Sequence, residues 1–253
     1  MQNKRGKKRS RPAKKLKNRL LRFFKYLFVY IPLTFITVSL LSIVILKWVP
    51  VYCTPLMVIR SVEHISDKSF TTYKTWKPIE KISRNMQMAV MASEDTRFLE
   101  HKGFDWEEID NAIDANKRGR RLRGASTISQ QTAKNVFLFP SRSWLRKGFE
   151  AYFTVGIELI WGKERILEVY LNVAEMGRGI YGAEAAANQL FQKSAQKLTS
   201  RESALIAASL PNPMKRRANN PSGYLSARAS HIQTLMGMIE VPEWLQKSKR
   251  VKK

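Results

Sequence analysis

The sequence predicts a mainly α-helical domain carried behind a single transmembrane helix. Three observations lead there. Leu27 to Leu46 is twenty residues without a charge, preceded by a dense basic segment. From Ile82 onward, apolar residues recur at helical spacing, and almost no stretch alternates as a half-buried strand would. Hydrophobic residues make up 44% of the chain, enough for a core and too many for global disorder.

The N-terminal elements follow from charge and length. Residues 1–25 hold twelve of the 45 Lys and Arg and no acid, so 1–26 reads as a basic cytoplasmic tail. At about 1.5 Å per residue, a helix over 27–46 spans roughly the hydrocarbon thickness of a bilayer. Pro32 lies in its first half, which membrane helices tolerate. Lys47, Trp48 and Tyr52 follow where an aromatic belt would stand. The run is longer than the apolar region of a cleavable signal, and LKWVPVY offers no small-residue cleavage site. The positive-inside rule keeps the tail in the cytoplasm and sends residues 50–253 across the membrane. A net charge of +25 suggests a polyanion partner: nucleic acid, anionic lipid or a phosphorylated substrate. Anionic lipid at the tail accounts for much of it, so nucleic acid is set aside. One cysteine, Cys53, excludes a disulfide framework and any multi-cysteine zinc site. His64, His101 and His231 are not at metal-ligand spacing.

Residues 47–80 read as a juxtamembrane connector, 81–240 as the helical domain and 241–253 as a basic C-terminal tail. Ile82, Met86, Ala89, Val90 and Ser93 mark one helix face; Ile166, Leu167, Tyr170, Leu171 and Ala174 mark another, in a helix over Lys163 to Met176. Ala183 to Phe191 is an alanine-rich packed helix. Thr199 and Glu202 form a capping-box pattern before ALIAASL, which Pro211 and Pro213 close. Leu225 to Ile239 is a last helix.

Three clusters carry candidate chemistry. Ser93 to Asp105 places Glu94 and Asp95 at the C-terminal end of a helix, where its dipole opposes them, with Phe98 and His101 close behind. Arg123 to Asn135 is dense in Ser126, Thr127, Ser129, Gln130, Gln131 and Asn135; it suits either a polar surface loop or a sugar or phosphate ligand, with Lys134 as mobile charge. Ser141 to Glu158 carries Arg142, Arg146 and Lys147 ahead of Glu150; Arg146 and Glu150 make either an ordinary i,i+4 ion pair or part of a cationic diphosphate patch. Two motifs are decoys. Gly177 to Gly182 fits G-x-G-x-x-G but follows a helix and lacks a βαβ frame. Ser194 to Lys197 fits S-x-x-K without S-D-N or K-T-G.

In this order the clusters resemble the family 51 glycosyltransferases, the peptidoglycan polymerases, from about Ile82 to Pro221. The matching residues are Glu94-Asp95, Phe98, His101 and Gly103, then Gly124-Ala-Ser-Thr-Ile, Gln130-Gln131, Lys134 and Asn135. Arg146-Lys147 with Glu150, and Lys163 with Ile166-Leu-Glu168, Tyr170-Leu-Asn172, complete them, and the glycine loop belongs to the same pattern. One membrane helix and no transpeptidase domain is similar to the monofunctional, biosynthetic members. Phe149 stands where some relatives carry a further base.

The resemblance implies a lysozyme-like, two-lobed fold and lipid II with the growing glycan strand as substrates, at the bacterial plasma membrane. It implies Glu94 as the base that takes a proton from the acceptor 4-hydroxyl, with Glu150 as second catalytic carboxylate. Lys134, Arg142 and Arg146 would receive the departing diphosphate. Asp95, Phe98, His101, Ser126, Thr127, Gln130, Gln131 and Asn135 are the other expected substrate contacts, Phe98 and His101 with loop packing as their alternative. Tyr170 and Asn172 are expected behind the site, on a helix whose apolar face is core. No cofactor is required; Glu150 either orients the cations, the favoured role, or holds Mg2+ or Mn2+ on the diphosphate. Cell-wall synthesis or division proteins are the partner class. The alternatives are a lysozyme-like glycan-cleaving transglycosylase and a non-catalytic membrane scaffold of wall assembly.

Overall fold

The computed structural model describes residues 12–117, 126–141 and 143–250. It divides into two compact units, Met1–Ile45 and Leu46–Lys253.

The first unit is helical wherever it is described. Helix α1, Pro12–Lys25, passes through a π-helical turn, Tyr26–Tyr30, into α2, Ile31–Leu46. The widened turn has a local cause. Pro32 has no N–H for the Phe28 carbonyl, and its ring crowds the preceding turn. The register slips by one residue, so Ile31 N–H bonds the carbonyl of Tyr26. The hydroxyls of Thr37, Ser39 and Ser42 fold back onto the carbonyls of Leu33, Ile36 and Ser39. No side-chain hydroxyl among these three then needs water. The apolar helix Asn18–Leu46 is long enough to cross a membrane.

The second unit begins with α3, Pro55–Glu63, where a connector was expected. Thr54 caps it, accepting from Met57 N–H, and Pro55 fits the first helical position. A 3-10 turn, Ile79–Lys81, leads to α4, Arg84–Glu94, capped by Ser83. Helices α5 (Trp106–Lys117), α6 (Ile128–Phe137), α7 (Trp144–Ile160) and α8 (Lys163–Val173) follow. The chain continues through α9 (Ala183–Phe191), α10 (Ser200–Ser209), α11 (Gly223–Met236) and α12 (Glu243–Arg250). The capping box at Thr199 and Glu202 forms. Helix α8 stops at Val173, short of the expected Met176, because Glu175–Gly177 becomes strand β2.

Three short strands make one sheet in the order β1 (Tyr73–Lys74), β3 (Ile180–Tyr181), β2, with β1 parallel and β2 antiparallel to β3. The glycine pattern is therefore a tight hairpin leading into α9. Gly182 needs its φ of +84°, and a Cβ there would lie 2.7 Å from the Asn172 carbonyl oxygen.

Two helical groups build the unit. Helix α4 packs on α10 and α11; Met86, Ala89 and Val90 of α4, the alanines of α10 and Leu225, Ala229 and Ile232 of α11 are all buried. Helix α6 packs on α7 and α8. Ile166, Leu167 and every residue from Val169 to Val173 are buried, so α8 is enclosed on nearly all sides. Residues 241–250 are more than a basic tail: Pro242 and Leu245 are buried, and the Trp244 indole donates to Gln87 Oε1.

Candidate active site

Glu94 is the last residue of α4, and the loop after it is locked by polar contacts. Asp95 is buried, and its Oδ2 accepts the backbone N–H of Ile128 at the start of α6 (3.0 Å). An anion that opposes the dipole of α4 thus complements that of α6. His101 Nε2 lies 3.0 and 3.1 Å from the two Asp95 oxygens, and its Nδ1 accepts from Gly103 N–H. The proton therefore sits on Nε2 and points at Asp95. Gly103, at φ +92°, lies against Thr154 and Glu158 of α7, and its carbonyl accepts from Thr127 Oγ1 at 2.6 Å.

The segment read as a polar loop is in large part the start of α6. Thr127 and Gln130 form a capping box. Ser129 donates to Glu158 Oε1, which also accepts from Lys163. Among the expected substrate contacts, Asp95, Thr127 and Gln130 are buried, with the Asp95 carboxylate, the Thr127 hydroxyl and Gln130 Oε1 each bonded to protein partners, and Phe98 is 1% exposed. His101 likewise has both ring nitrogens engaged. These five side chains hold the loop, the packing alternative for Phe98 and His101. Ser126 is exposed, and Gln131, Lys134 and Asn135 are half-buried. Arg142 lies outside the described residues.

Glu94 is half-buried and held from two sides. Gln131 Nε2 donates to Oε2 (3.0 Å) and Ser93 Oγ to Oε1 (3.2 Å). Gln131 is fixed in turn by the buried Tyr170 hydroxyl, which donates to its Oε1 at 3.2 Å. Burial raises the Glu94 pKa, and Asp95 adds to this; Gln131, Ser93 and the positive charge of Arg228 oppose it. Tyr170 is pushed well above its usual value by burial first, then by Glu94 and Asp95, so it remains a neutral donor.

On α7, capped by Ser143, Arg146 donates to Glu150 Oε2 at 2.5 Å and Lys147 donates to Oε1. Glu150 is 3% exposed. Lys134, on α6, feels this cluster and Glu94 together: burial lowers its pKa, Glu150 and Glu94 raise it, and Arg146 and Lys147 lower it further. The site is thus a carboxylate and a cation cluster bridged by one lysine.

A divalent ion at Glu150 does not fit, since both of its oxygens already accept from cations. Among the described residues, Asp95, His101 and Asp105 come within ligating distance of one another. Their ligand atoms are committed, however: Asp105 Oδ1 caps α5 through Glu108 N–H, and His101 spends both ring nitrogens. Sequence reading named Tyr170 as lying behind the site but left out Ser93 as a contact of Glu94 and Arg228 as the charge behind Ser93. Arg228 lies outside every quoted motif, and only the packing of α11 on α4 brings it there.

The transglycosylase family model matches residues 61–237. A biosynthetic peptidoglycan transglycosylase of Bacteroides thetaiotaomicron is 52% identical over 222 residues, 87% of this chain and 88% of that protein. One from Bdellovibrio bacteriovorus is 51% identical over 201 residues, covering 79% and 80%. One from Pasteurella multocida is 47% identical over 207 residues, covering 81% and 84%. The lysozyme-like, mainly helical architecture and the glycosyltransferase activity go with that match, and the chain belongs to the transglycosylase family.

Proposed function

We propose that this protein polymerises peptidoglycan glycan strands from lipid II, with Glu94 as general base. The observation that carries the reading is helix α6, whose Gln131 holds Glu94 and whose Lys134 stands three residues further on, packed on α7, where Arg146 and Lys147 converge on Glu150. A proton acceptor and an anion-receiving patch are what this displacement needs within one groove.

The acceptor 4-hydroxyl attacks the anomeric carbon of the growing chain and gives its proton to Glu94. The bond from that carbon to the diphosphate oxygen breaks, and undecaprenyl diphosphate leaves. Burial makes Glu94 a better base than an exposed glutamate. Charge gathers on the leaving oxygen, so Lys134 and Arg146, with Arg142 by resemblance, stabilise the transition state more than the ground state. Glu150 orients these cations and limits their mutual repulsion. An α-linked donor and a β-linked product need one inversion and no covalent glycosyl-enzyme.

The apolar helix anchors the protein in the bacterial plasma membrane, with the basic tail in the cytoplasm against anionic lipid and the helical domain outside. Anchoring holds the site near a lipid-borne substrate and raises its effective concentration. Wall-synthesis or division proteins are the expected protein partners.

Full-length protein in detergent, given labelled lipid II, is expected to form polymer, and Glu94→Gln to abolish it while remaining folded. Shortening of preformed glycan instead would favour a cleaving enzyme. Full polymerisation by Glu94→Gln would remove Glu94 from the mechanism.

A further inference from the structure

We propose that Arg228 is a positioning residue for this reaction: acting through the Ser93 hydroxyl, it fixes the Glu94 carboxylate and is the counter-charge for its ionised form. The inference rests on Glu94 being the base.

The geometry is a relay from α11 to the end of α4. Arg228 Nη2 donates to Ser93 Oγ at 3.5 Å, and Ser93 Oγ lies 3.2 Å from Glu94 Oε1 and 3.3 Å from the Ala207 carbonyl of α10. A hydroxyl has one proton to give. A cation donating to its oxygen polarises that O–H, and the carboxylate is the stronger of its two acceptors. Arg228 Nε is buried without a hydrogen-bond partner among the described residues. A buried donor left unpaired is unfavourable, so hydrogen bonding alone does not explain an arginine here; its charge does.

The groups around Glu94 make that charge necessary. Asp95, beside it in sequence, repels a proton-free carboxylate, and Tyr170 of α8 contributes no positive charge. Lys134 of α6 is attractive but also faces Arg146, Lys147 and Glu150. Once a diphosphate occupies that patch, the field of Lys134 is largely neutralised. Arg228 comes from α11 and acts through Ser93 at Oε1, whereas α6 holds Oε2 through Gln131, so its effect on Glu94 persists while substrate is bound.

The test is the pH profile of lipid II polymerisation by full-length protein in detergent. Arg228→Met is expected to move the acidic limb upward by about one pH unit. On that limb the rate drops about tenfold, and activity returns at alkaline pH. Arg228→Lys restores most of the parent profile. Ser93→Ala lowers the rate with a smaller displacement, because the charge remains. A folded Arg228→Met whose rate matches the parent, or falls by one factor at every pH, overturns the inference. Should that variant fail to fold, Arg228→Gln is read in the same way. Glu94→Gln run alongside separates the two ideas. If it polymerises normally, the base assignment fails; if it is inactive while the Arg228 profiles do not move, only the role of Arg228 fails.

Discussion

Replacing Glu150 by alanine should destabilise the protein and turn its cation cluster into a stronger anion site. The Glu150 side chain is 4% exposed, while its partners Arg146 and Lys147 are 19% and 43% exposed. Removing one member of a fully buried pair costs about 3–5 kcal/mol, because the other charge is stranded. Lys147 can swing into water, so its share is that of a surface pair, about 0–1 kcal/mol. Arg146 cannot be rehydrated so readily, and its Nε is already buried without a partner among the described residues. The net expectation is a loss of about 2–3 kcal/mol. For a domain of this size that lowers the melting temperature by roughly 5–10 °C. Thermal melts of the full-length protein in detergent measure it, with and without pyrophosphate. Pyrophosphate should raise the melting temperature of Glu150→Ala more than that of the parent, since anion binding to the folded state replaces the missing counter-charge. Glu150→Gln should fall between the two. A Glu150→Ala protein that melts with the parent and gains nothing from pyrophosphate would refute the counter-ion argument. Stabilisation of the parent by Mn2+ that disappears in Glu150→Ala would point instead to metal ligation.

Other expectations follow from the same contacts. Because burial holds the Glu94 pKa above 4.5, polymerisation should be lost as pH falls through that raised value, at a higher pH than for an exposed glutamate. The linkage sign is the reverse of a salt-bridged acid: the folded state binds the proton more tightly, so Glu94 loses stability for the protein as pH rises from its unfolded to its folded pKa. Glu94→Gln should therefore be at least as stable as the parent at neutral pH in denaturant titration, while polymer formation is lost, the general base alone being worth about 10²–10⁴-fold. Gly103→Ala faces a φ of +92° and a Cβ contact of 2.8 Å to Thr154 Cγ2, and should cost about 2–4 kcal/mol with a matching loss of activity. Thr127→Ala removes an N-cap and the bond to the Gly103 carbonyl; a loss of about 1–2 kcal/mol in the same titration checks it.

What the sequence disclosed depended on whether the signal was local. The apolar run, the capping box at Thr199 and Glu202 and the face through Met86, Ala89 and Val90 are set by neighbours a few residues apart, and each became the element it announced. Thr127 and Gln130 carried an equally local signal, but a crowd of small polar residues around them reads equally well as a loop. Strand β2 was hidden because its pairing is with β3 and its backbone needs the hairpin, neither of which shows as alternation over three residues. The tail at 241–250 looked like solvated charge because its anchoring depends on the folded chain: Pro242 and Leu245 are buried, and Trp244 finds its partner far back, at Gln87.

The same distinction separates the residues of the site. Motif matching brought out Asp95, His101, Thr127 and Gln130 as strongly as Glu94, yet the structure shows why such residues can be indispensable without touching a ligand. Asp95 joins the end of α4 to the start of α6, His101 ties Asp95 to the Gly103 turn, and Thr127 ties that turn back to α6. Each link joins segments distant in sequence or fixes a turn, so losing one is expected to loosen the placement of Glu94 at the end of α4. Arg228 shows the converse. It lies outside the motifs read from the sequence, and its effect depends on distance from a carboxylate more than a hundred residues earlier, a distance that exists only once α11 has packed on α4. A charge that tunes a buried group need not touch the substrate and need not lie near it in sequence; it needs low dielectric around it and a fixed position. At Glu94 the fixed charge from a distant element is Arg228, held behind the Ser93 hydroxyl.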